Sequence, residues 1–136
     1  MNQSIFKAYD IRGIYPTDVN ENVAVQIGTA CAKIFKPGKV VIAYDARHGS
    51  VELGNTVSES LKKVSNGQHE IIFVGLSTTP MFYFLVNELD ATGGCMVTAS
   101  HNPKEYNGFK VVGEKAQSIS GVTMLNVISN LKNGKI

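Results

Sequence analysis

The sequence is poor in cysteine, and this shortage excludes several kinds of protein. Among its 136 residues only Cys31 and Cys95 are cysteines, and neither belongs to a Cys-x-x-Cys pair or a zinc-spaced cluster. A disulfide-rich secreted scaffold and a zinc finger are therefore excluded. Both cysteines lie in apolar surroundings, which predicts buried free thiols in a reducing compartment. A single disulfide between them stays open at this point.

The chain also lacks strong charge and long hydrophobic runs. Its formal charge is +2 at pH 7, and the lysines are scattered, with no cluster that would bind a polyanion. No apolar run approaches the roughly 20 residues that span a bilayer, and the N-terminus has no charged and then apolar leader. We therefore expect a soluble, cytoplasmic protein that binds neither nucleic acid nor membrane.

Strand-like and helix-like segments alternate along the chain. Strands are predicted at residues 5–9, 40–44 and 70–74, and two more form a hairpin around Ser100. Helices are predicted from the N-cap Asn20 to about residue 36, and at 51–65, 79–89 and 122–131. The length indicates one domain, residues 1–136. The fold class is thus α/β: a three-layer single domain whose mixed, mostly parallel sheet of about four strands has helices on both faces, with a C-terminal hairpin.

Polar side chains follow the predicted strands. Arg12, Arg47, Thr78 and Ser100 each stand just after such a segment. Ligands of open α/β sheets bind at the carboxyl ends of the parallel strands. Two arginines at one rim suit an anion such as a phosphate.

The most informative stretch is the loop of the hairpin. Residues 98–103 read Thr-Ala-Ser-His-Asn-Pro, and residues 106–110 read Tyr-Asn-Gly-Phe-Lys. Asn-Pro and Asn-Gly are turn dipeptides, so the loop has a defined shape. Ser100 is its only side chain suited to holding a transferable group. Taken alone, Ser100 fits an ordinary turn serine better than a carrier of a transferable group.

This loop resembles the phosphoserine loop of the α-D-phosphohexomutases, the phosphomannomutase and phosphoglucomutase family, and the match extends over essentially the whole chain. Three more segments resemble the first domain of that family: residues 6–13 (Phe-Lys-Ala-Tyr-Asp-Ile-Arg-Gly), 43–47 (Ala-Tyr-Asp-Ala-Arg) and 75–80 (Gly-Leu-Ser-Thr-Thr-Pro). The resemblance implies an intramolecular phosphotransferase of the isomerase class. It would interconvert hexose 6-phosphate and hexose 1-phosphate through a bisphosphate.

The resemblance also implies roles for individual residues. Those implied to be catalytic are Ser100 as phosphoryl carrier, His101, Lys110 and Arg12. Those implied to bind substrate or phosphate are Tyr9, Arg12, Asn102, Asn107 and Arg47. The phosphate on Ser100 would also be a ligand of Mg²⁺.

The residues themselves leave some of these roles open. Asn102 and Asn107 suit loop shaping, and Arg47 could be a supporting residue with Asp45. The chain departs from the family pattern after Arg47, where Gly49 stands in place of the usual serine and Ser50 follows one position later. This departure argues against a catalytic role of Asp45 or Ser50.

Family members have four domains, and domains II–IV are absent from this chain. They would be its partners, together with hexose phosphates. The resemblance implies Mg²⁺, held mainly by a domain II loop, and a hexose 1,6-bisphosphate activator. We therefore expect the isolated chain to be inactive. Two alternatives stay open: a domain of a phosphoglucomutase or phosphoglucosamine mutase, and a stand-alone module that binds phosphosugars.

Overall fold

The computed structural model of the chain describes residues 1–134. This part of the chain contains six strands and four α-helices, which alternate up to the fourth strand, and the last three strands precede the last helix. The strands are β1 (Ile11–Ile14), β2 (Gly38–Tyr44), β3 (His69–Leu76), β4 (Gly93–Val97), β5 (Tyr106–Gly113) and β6 (Ser118–Ile119). The helices are α1 (Glu21–Ile34), α2 (Ser50–Ser65), α3 (Thr79–Glu88) and α4 (Gly121–Lys132), with short 3-10 turns at Gln3–Ile5 and Glu114–Ala116.

The strands form one mixed sheet in the order β1-β5-β4-β2-β3, and β6 pairs with β5. The central strand β2 runs parallel to β3 and β4. The later strand β5 runs antiparallel to β4, β1 and β6. The hairpin of β4 and β5 therefore brings the loop that contains Ser100 to the carboxyl end of the parallel strands.

Alternating strand residues separate two hydrophobic cores. Val40, Ile42 and Cys95 pack on one face against α1, α2 and α4. Val41 and Met96 point to the other face, which α3 covers. The predicted α/β class with helices on both faces is confirmed.

Local signals in the sequence set most helix ends. The side chain of Asn20 accepts a hydrogen bond from the Val23 amide and caps α1 as predicted. Asn66 ends α2 in the left-handed conformation that asparagine tolerates. The N-cap of α3 is Thr78 rather than the predicted Thr79.

Three details of the sequence-based fold are wrong. Residues 5–9 are not a strand, because the Lys7 amide bonds to the Asp10 carbonyl and closes a turn; the first strand starts at Ile11. The sheet has six strands rather than about four, since β1 and the two-residue β6 both pair with β5. Antiparallel pairs also outnumber parallel ones for that reason.

Two further expectations concern single features. Cys31 and Cys95 are both buried and free, so the disulfide left open by the sequence is not formed. Within residues 1–134, no helix has the length and apolar character needed to cross a bilayer.

Candidate active site

Ser100 lies at the tip of the loop between β4 and β5. Its φ of 55° is in the left-handed region, which non-glycine residues adopt only at an energetic cost. Local hydrogen bonds hold this conformation: the Ser100 amide donates to Thr98 Oγ1 (2.9 Å), and Asn102 Nδ2 donates to the Ala99 carbonyl (2.8 Å). Ser100 is exposed in this loop, and its own amide and carbonyl groups both have hydrogen-bond partners.

The Arg47 side chain donates hydrogen bonds to the backbone of this loop. Its Nη2 donates to the carbonyl oxygens of Ser100 and Asn102, each at 2.7 Å, and its Nη1 donates to those of Pro103 (2.8 Å) and Tyr106 (3.1 Å). We call this set of four bonds the arginine clamp. Only the fixed fork of a guanidinium can serve four acceptors in this way. Both terminal nitrogens are therefore engaged with the backbone, which favours the supporting role that the sequence left open for Arg47.

Asn107 forms a second internal anchor. Its Nδ2 donates to the His48 carbonyl (3.0 Å) and to Ser50 Oγ (2.9 Å), and its Oδ1 accepts from the Gly108 amide (2.9 Å). Ser50 in turn donates to Asp45 Oδ1 (2.8 Å). The amide is completely buried, so in this structure it shapes the loop.

A carboxylate and two cations stand in front of the loop. Asp10 is buried, with its Oδ1 3.5 Å from Arg12 Nε and its Oδ2 3.6 Å from Lys110 Nζ. Arg12 lies on β1 and Lys110 on the neighbouring β5, on the same face of the sheet. The Asp10 carboxylate, on the turn that precedes β1, therefore links side chains of the two adjacent strands β1 and β5.

These residues surround one open cavity of about 470 Å³. Its lining consists of Lys7, Ala8, Tyr9, Asp10, Arg12, Ser100 and Lys110. Three side chains of the lining are cationic and one is anionic, so the cavity is positive and suits an anionic ligand. The Ser100 hydroxyl is the only alcohol of an aliphatic side chain among the lining residues.

Residues 3–135 match the family model described as phosphoglucomutase/phosphomannomutase, alpha/beta/alpha domain I. The chain belongs to this family. A Xanthomonas campestris protein named "Phosphohexose mutases" is 45% identical over 94% of this chain and 28% of its own length. A Klebsiella pneumoniae phosphomannomutase is 43% identical over 93% of this chain and 78% of its own length. An Escherichia coli phosphomannomutase is also 43% identical, and the chain spans 27% of it.

Solved structures agree with this assignment. The structure of a phosphoglucomutase/phosphomannomutase family protein from Burkholderia thailandensis superposes with a TM-score of 0.82 and 30% sequence identity. The match covers 100% of this chain and 31% of the Burkholderia chain. The chain thus spans less than a third of the length of this structure and of the Xanthomonas relative. The family resemblance stated from the sequence is confirmed.

The structure of this phosphohexomutase domain brings part of the predicted site together. Ser100, Arg12, Lys110 and Tyr9 line the cavity, and Tyr9 is 78% exposed. His101 is exposed on the same loop but does not line the cavity. Catalytic or ligand-binding roles for all of these residues stay predictions.

Other predicted residues lie around the cavity rather than in it. Asn102 lines two neighbouring cavities of about 540 Å³ and 300 Å³. Thr78 caps α3 by accepting from the Met81 amide. For Arg47 and Asn107, contact with phosphate stays a prediction, while the observed hydrogen bonds favour the supporting roles that the residues themselves suggested.

Neither Asp10 nor Lys7 was singled out from the sequence as a site residue. A usable signal was present for Asp10. It stands two residues before Arg12, and period-two alternation places both side chains on one face of an extended segment. Lys7 carried no comparable signal, because the turn that brings it to the cavity was read as a strand.

Proposed function

We propose that this chain is the phosphoserine-bearing domain of a phosphomannomutase-like enzyme that interconverts hexose 6-phosphate and hexose 1-phosphate. One observation carries the proposal: the exposed Ser100 hydroxyl shares a cavity with Arg12 and Lys110. An alcohol that carries a phosphoryl group needs cations close to it, because charge on the phosphoryl oxygens must be neutralised during transfer. The family membership agrees with this reading of the cavity.

In the proposed reaction, phosphoserine at position 100 gives its phosphoryl group to a free hydroxyl of a hexose monophosphate. The bond between phosphorus and Ser100 Oγ breaks, and a bond between phosphorus and the sugar oxygen forms. The proton of the sugar hydroxyl passes to a base, for which His101 is the candidate, and Ser100 Oγ takes up a proton from the Lys110 ammonium. The hexose bisphosphate then turns over and returns its other phosphoryl group to Ser100.

The loop geometry supports the role of Ser100 as carrier. Because the arginine clamp fixes the carbonyl of Ser100 itself, the hydroxyl starts from a defined backbone position. Fixed positions of the reacting groups lower the entropic part of a barrier. Arg12 makes no hydrogen bond through its terminal nitrogens to any residue in 1–134 and is available for the phosphoryl oxygens.

The residues described here do not build a metal site by themselves. Residues 1–134 hold no group of three or more His, Cys, Asp or Glu side chains that could bind an ion. In the proposed enzyme Mg²⁺ would take the Ser100 phosphate as one ligand and the remainder from another domain. Lewis-acid charge neutralisation is the chemistry it would supply.

Three finer points belong to the proposal. Domains II–IV would complete the site, so the isolated chain has negligible turnover. A hexose 1,6-bisphosphate would be the intermediate and activator. Mannose phosphate is the preferred substrate, because curated relatives from K. pneumoniae and E. coli are named phosphomannomutases.

The test compares two variants of the full-length natural protein. Ser100→Ala removes the proposed carrier, and Ser58→Ala in α2 removes a hydroxyl far from the cavity. We expect a phosphoryl group on the peptide that contains Ser100 in the parent protein and in Ser58→Ala, with turnover of mannose 1-phosphate. Ser100→Ala should lack both.

Two results would contradict the proposal. Turnover that survives in Ser100→Ala would exclude Ser100 as the carrier. A parent protein that binds hexose phosphates, with no phosphoserine and no turnover, would favour the phosphosugar-binding module instead.

A further inference from the structure

The Asp10 carboxylate is placed between two cations of the cavity. Its side chain is 7% exposed, and it lies 3.5 Å from Arg12 and 3.6 Å from Lys110. Within residues 1–134, these two cations are its only side-chain partners. A carboxylate is rarely buried to this degree unless it is paired. The Asp10 carboxylate is therefore held by its pairing with both cations, and the same pairing holds the Arg12 and Lys110 side chains beside it.

Strand register creates this arrangement. β1 and β5 pair antiparallel with Arg12 opposite Gly108. Extending the register by two residues places Asp10 opposite Lys110. Gly108 has no side chain, so nothing from β5 separates the Arg12 side chain from that of Lys110 on this face. A Cβ at Gly108 would lie 2.8 Å from the Arg12 Cα.

The backbone of Asp10 is fixed independently of its side chain. The Lys7 amide donates to the Asp10 carbonyl (2.8 Å), and the Gly121 amide at the start of α4 donates to the Lys7 carbonyl (2.8 Å). A Cβ at Gly121 would lie only 2.5 Å from the Lys7 carbonyl oxygen and 2.7 Å from the Asp10 carbonyl oxygen. Helix α4 thus packs directly on the turn, and the carboxylate starts from a rigid support.

The Asp10 carboxylate offsets the repulsion between the two positively charged side chains of the cavity. Arg12 and Lys110 are like charges beside one cavity, and like charges separate when no anion lies between them. The Asp10 carboxylate contacts Arg12 through Nε. The other four N–H groups of the guanidinium stay available, and their fork matches phosphate oxygens. One buried anion can therefore hold two cations in place while leaving their donors to a second anion.

From this geometry we infer that Asp10 is a positioning residue that sets the spacing of Arg12 and Lys110 for a phosphoryl group on Ser100. This inference rests on the proposed function. Asp10 acts through the two cations and does not touch the reacting atoms.

The experiment uses the full-length natural protein with Asp10→Asn, which keeps the shape of the side chain but removes its charge. Asp90→Asn is the matched control, since Asp90 is exposed near the end of α3 and also loses one negative charge. Three quantities are measured: kcat and KM for hexose 1-phosphate, the affinity for inorganic phosphate in a Ser100→Ala background, and the NMR signal of the Arg12 Nε–H group.

For Asp10→Asn we expect kcat to fall about 10²-fold, the loss typical of misplaced catalytic groups, with little change in KM. Inorganic phosphate should bind as tightly as before or up to about tenfold more tightly, because the cavity gains positive charge. The Arg12 Nε–H signal should move toward its position in a solvated guanidinium, because the carboxylate beside it is lost. Asp10→Glu, which restores the charge, should recover part of kcat and move the signal part of the way back. Asp90→Asn should change none of these quantities.

Other outcomes would overturn the inference. Unchanged kcat in a folded Asp10→Asn protein would show that the spacing does not need the carboxylate. A parallel loss of kcat and phosphate affinity would indicate a general structural role. If the parent protein itself has no turnover, the proposed function fails. The NMR signal of Arg12 Nε–H then tests the positioning role by itself: an unchanged signal in Asp10→Asn would exclude that role.

Discussion

The Nη2 atom of Arg47 donates a hydrogen bond of 2.7 Å to the carbonyl oxygen of Ser100, although 53 positions separate the two residues in the chain. Arg47 belongs to the segment between β2 and α2, whereas Ser100 belongs to the hairpin loop. The proposed phosphoryl carrier is therefore positioned by a different part of the chain from the one that contains it.

Replacing Arg47 by lysine should loosen this loop. An ammonium has three donors without the fork of a guanidinium, so at least one of the four carbonyl groups loses its partner. We expect the free energy of unfolding to fall by about 1–3 kcal/mol and amide hydrogen exchange to accelerate at residues 99–106. Exchange in α1 is the internal control. Unchanged exchange in the loop would contradict the clamp.

Gly108 tests the contact between β1 and β5. A Cβ at this position would lie within 3 Å of the Ile11 carbonyl and the Arg12 Cα. We expect Gly108→Ala to destabilise the protein by about 1–3 kcal/mol or more, because the strands must separate. Gly113→Ala is a matched control on the same strand, where the nearest atom is 3.8 Å away. Equal urea midpoints for the two variants would refute the prediction.

Backbone strain at Ser100 predicts that two variants without the hydroxyl differ in stability. Its φ of 55° suits glycine better than any other residue. We expect Ser100→Gly to be more stable than Ser100→Ala by about 1 kcal/mol, while both lack the phosphoryl group. Urea denaturation of the dephosphorylated proteins measures the difference. If the two variants unfold at the same concentration, the conformation of residue 100 is not strained.

The two buried thiols predict a loss of stability at alkaline pH. Burial raises the pKa of Cys95 from an ordinary 9.0 to about 12. Burial, and then the Coulombic effect of Cys95, raises the pKa of Cys31 well above 9.0. Between pH 9 and about pH 12 the thiols of the unfolded chain lose protons that the folded chain keeps. The free energy of unfolding is therefore highest below pH 9 and falls as the pH rises toward 12.

Denaturation at several pH values checks this sign. Cys95→Ala should show a smaller decrease of stability between pH 9 and 12 than the parent protein. Thiol reagents should react with both cysteines only after unfolding. An equal decrease in both proteins, or fast labelling of the native chain, would show that Cys95 ionises freely.

Local signals explain why much of the fold could be predicted. Asn20 and Asn66 act within a few residues, and each starts or ends a helix where the sequence indicated it. The Asn107-Gly108 dipeptide, from which the sequence predicted a turn, instead lies inside β5 and pairs with β1. The failure at residues 5–9 is different in kind. Their apolar pattern favours a strand, but the bond from Lys7 to Asp10 and the contact with Gly121 turn the chain away.

The site shows the same division. Ser100, Arg12 and Lys110 could be named from the sequence because they belong to short segments with a family resemblance. The bonds of Arg47 to the loop backbone reach across 53 to 59 positions, and no periodicity of the sequence contains that information. The ion pair between Asp10 and Lys110 was not predicted, because it depends on the register of β1 against β5.

Strand β3 lies at one end of the sheet and, within the described residues, pairs only with β2. Phe73 and Leu76 are exposed on it, and Met81 and Phe84 are exposed on the helix that follows. Free backbone groups beside apolar side chains form a template onto which further chains can add. At the concentrations needed for NMR or crystallisation, the solubility of this chain will therefore be limited by the β3 edge, on the opposite side of the sheet from the strand that carries Arg12.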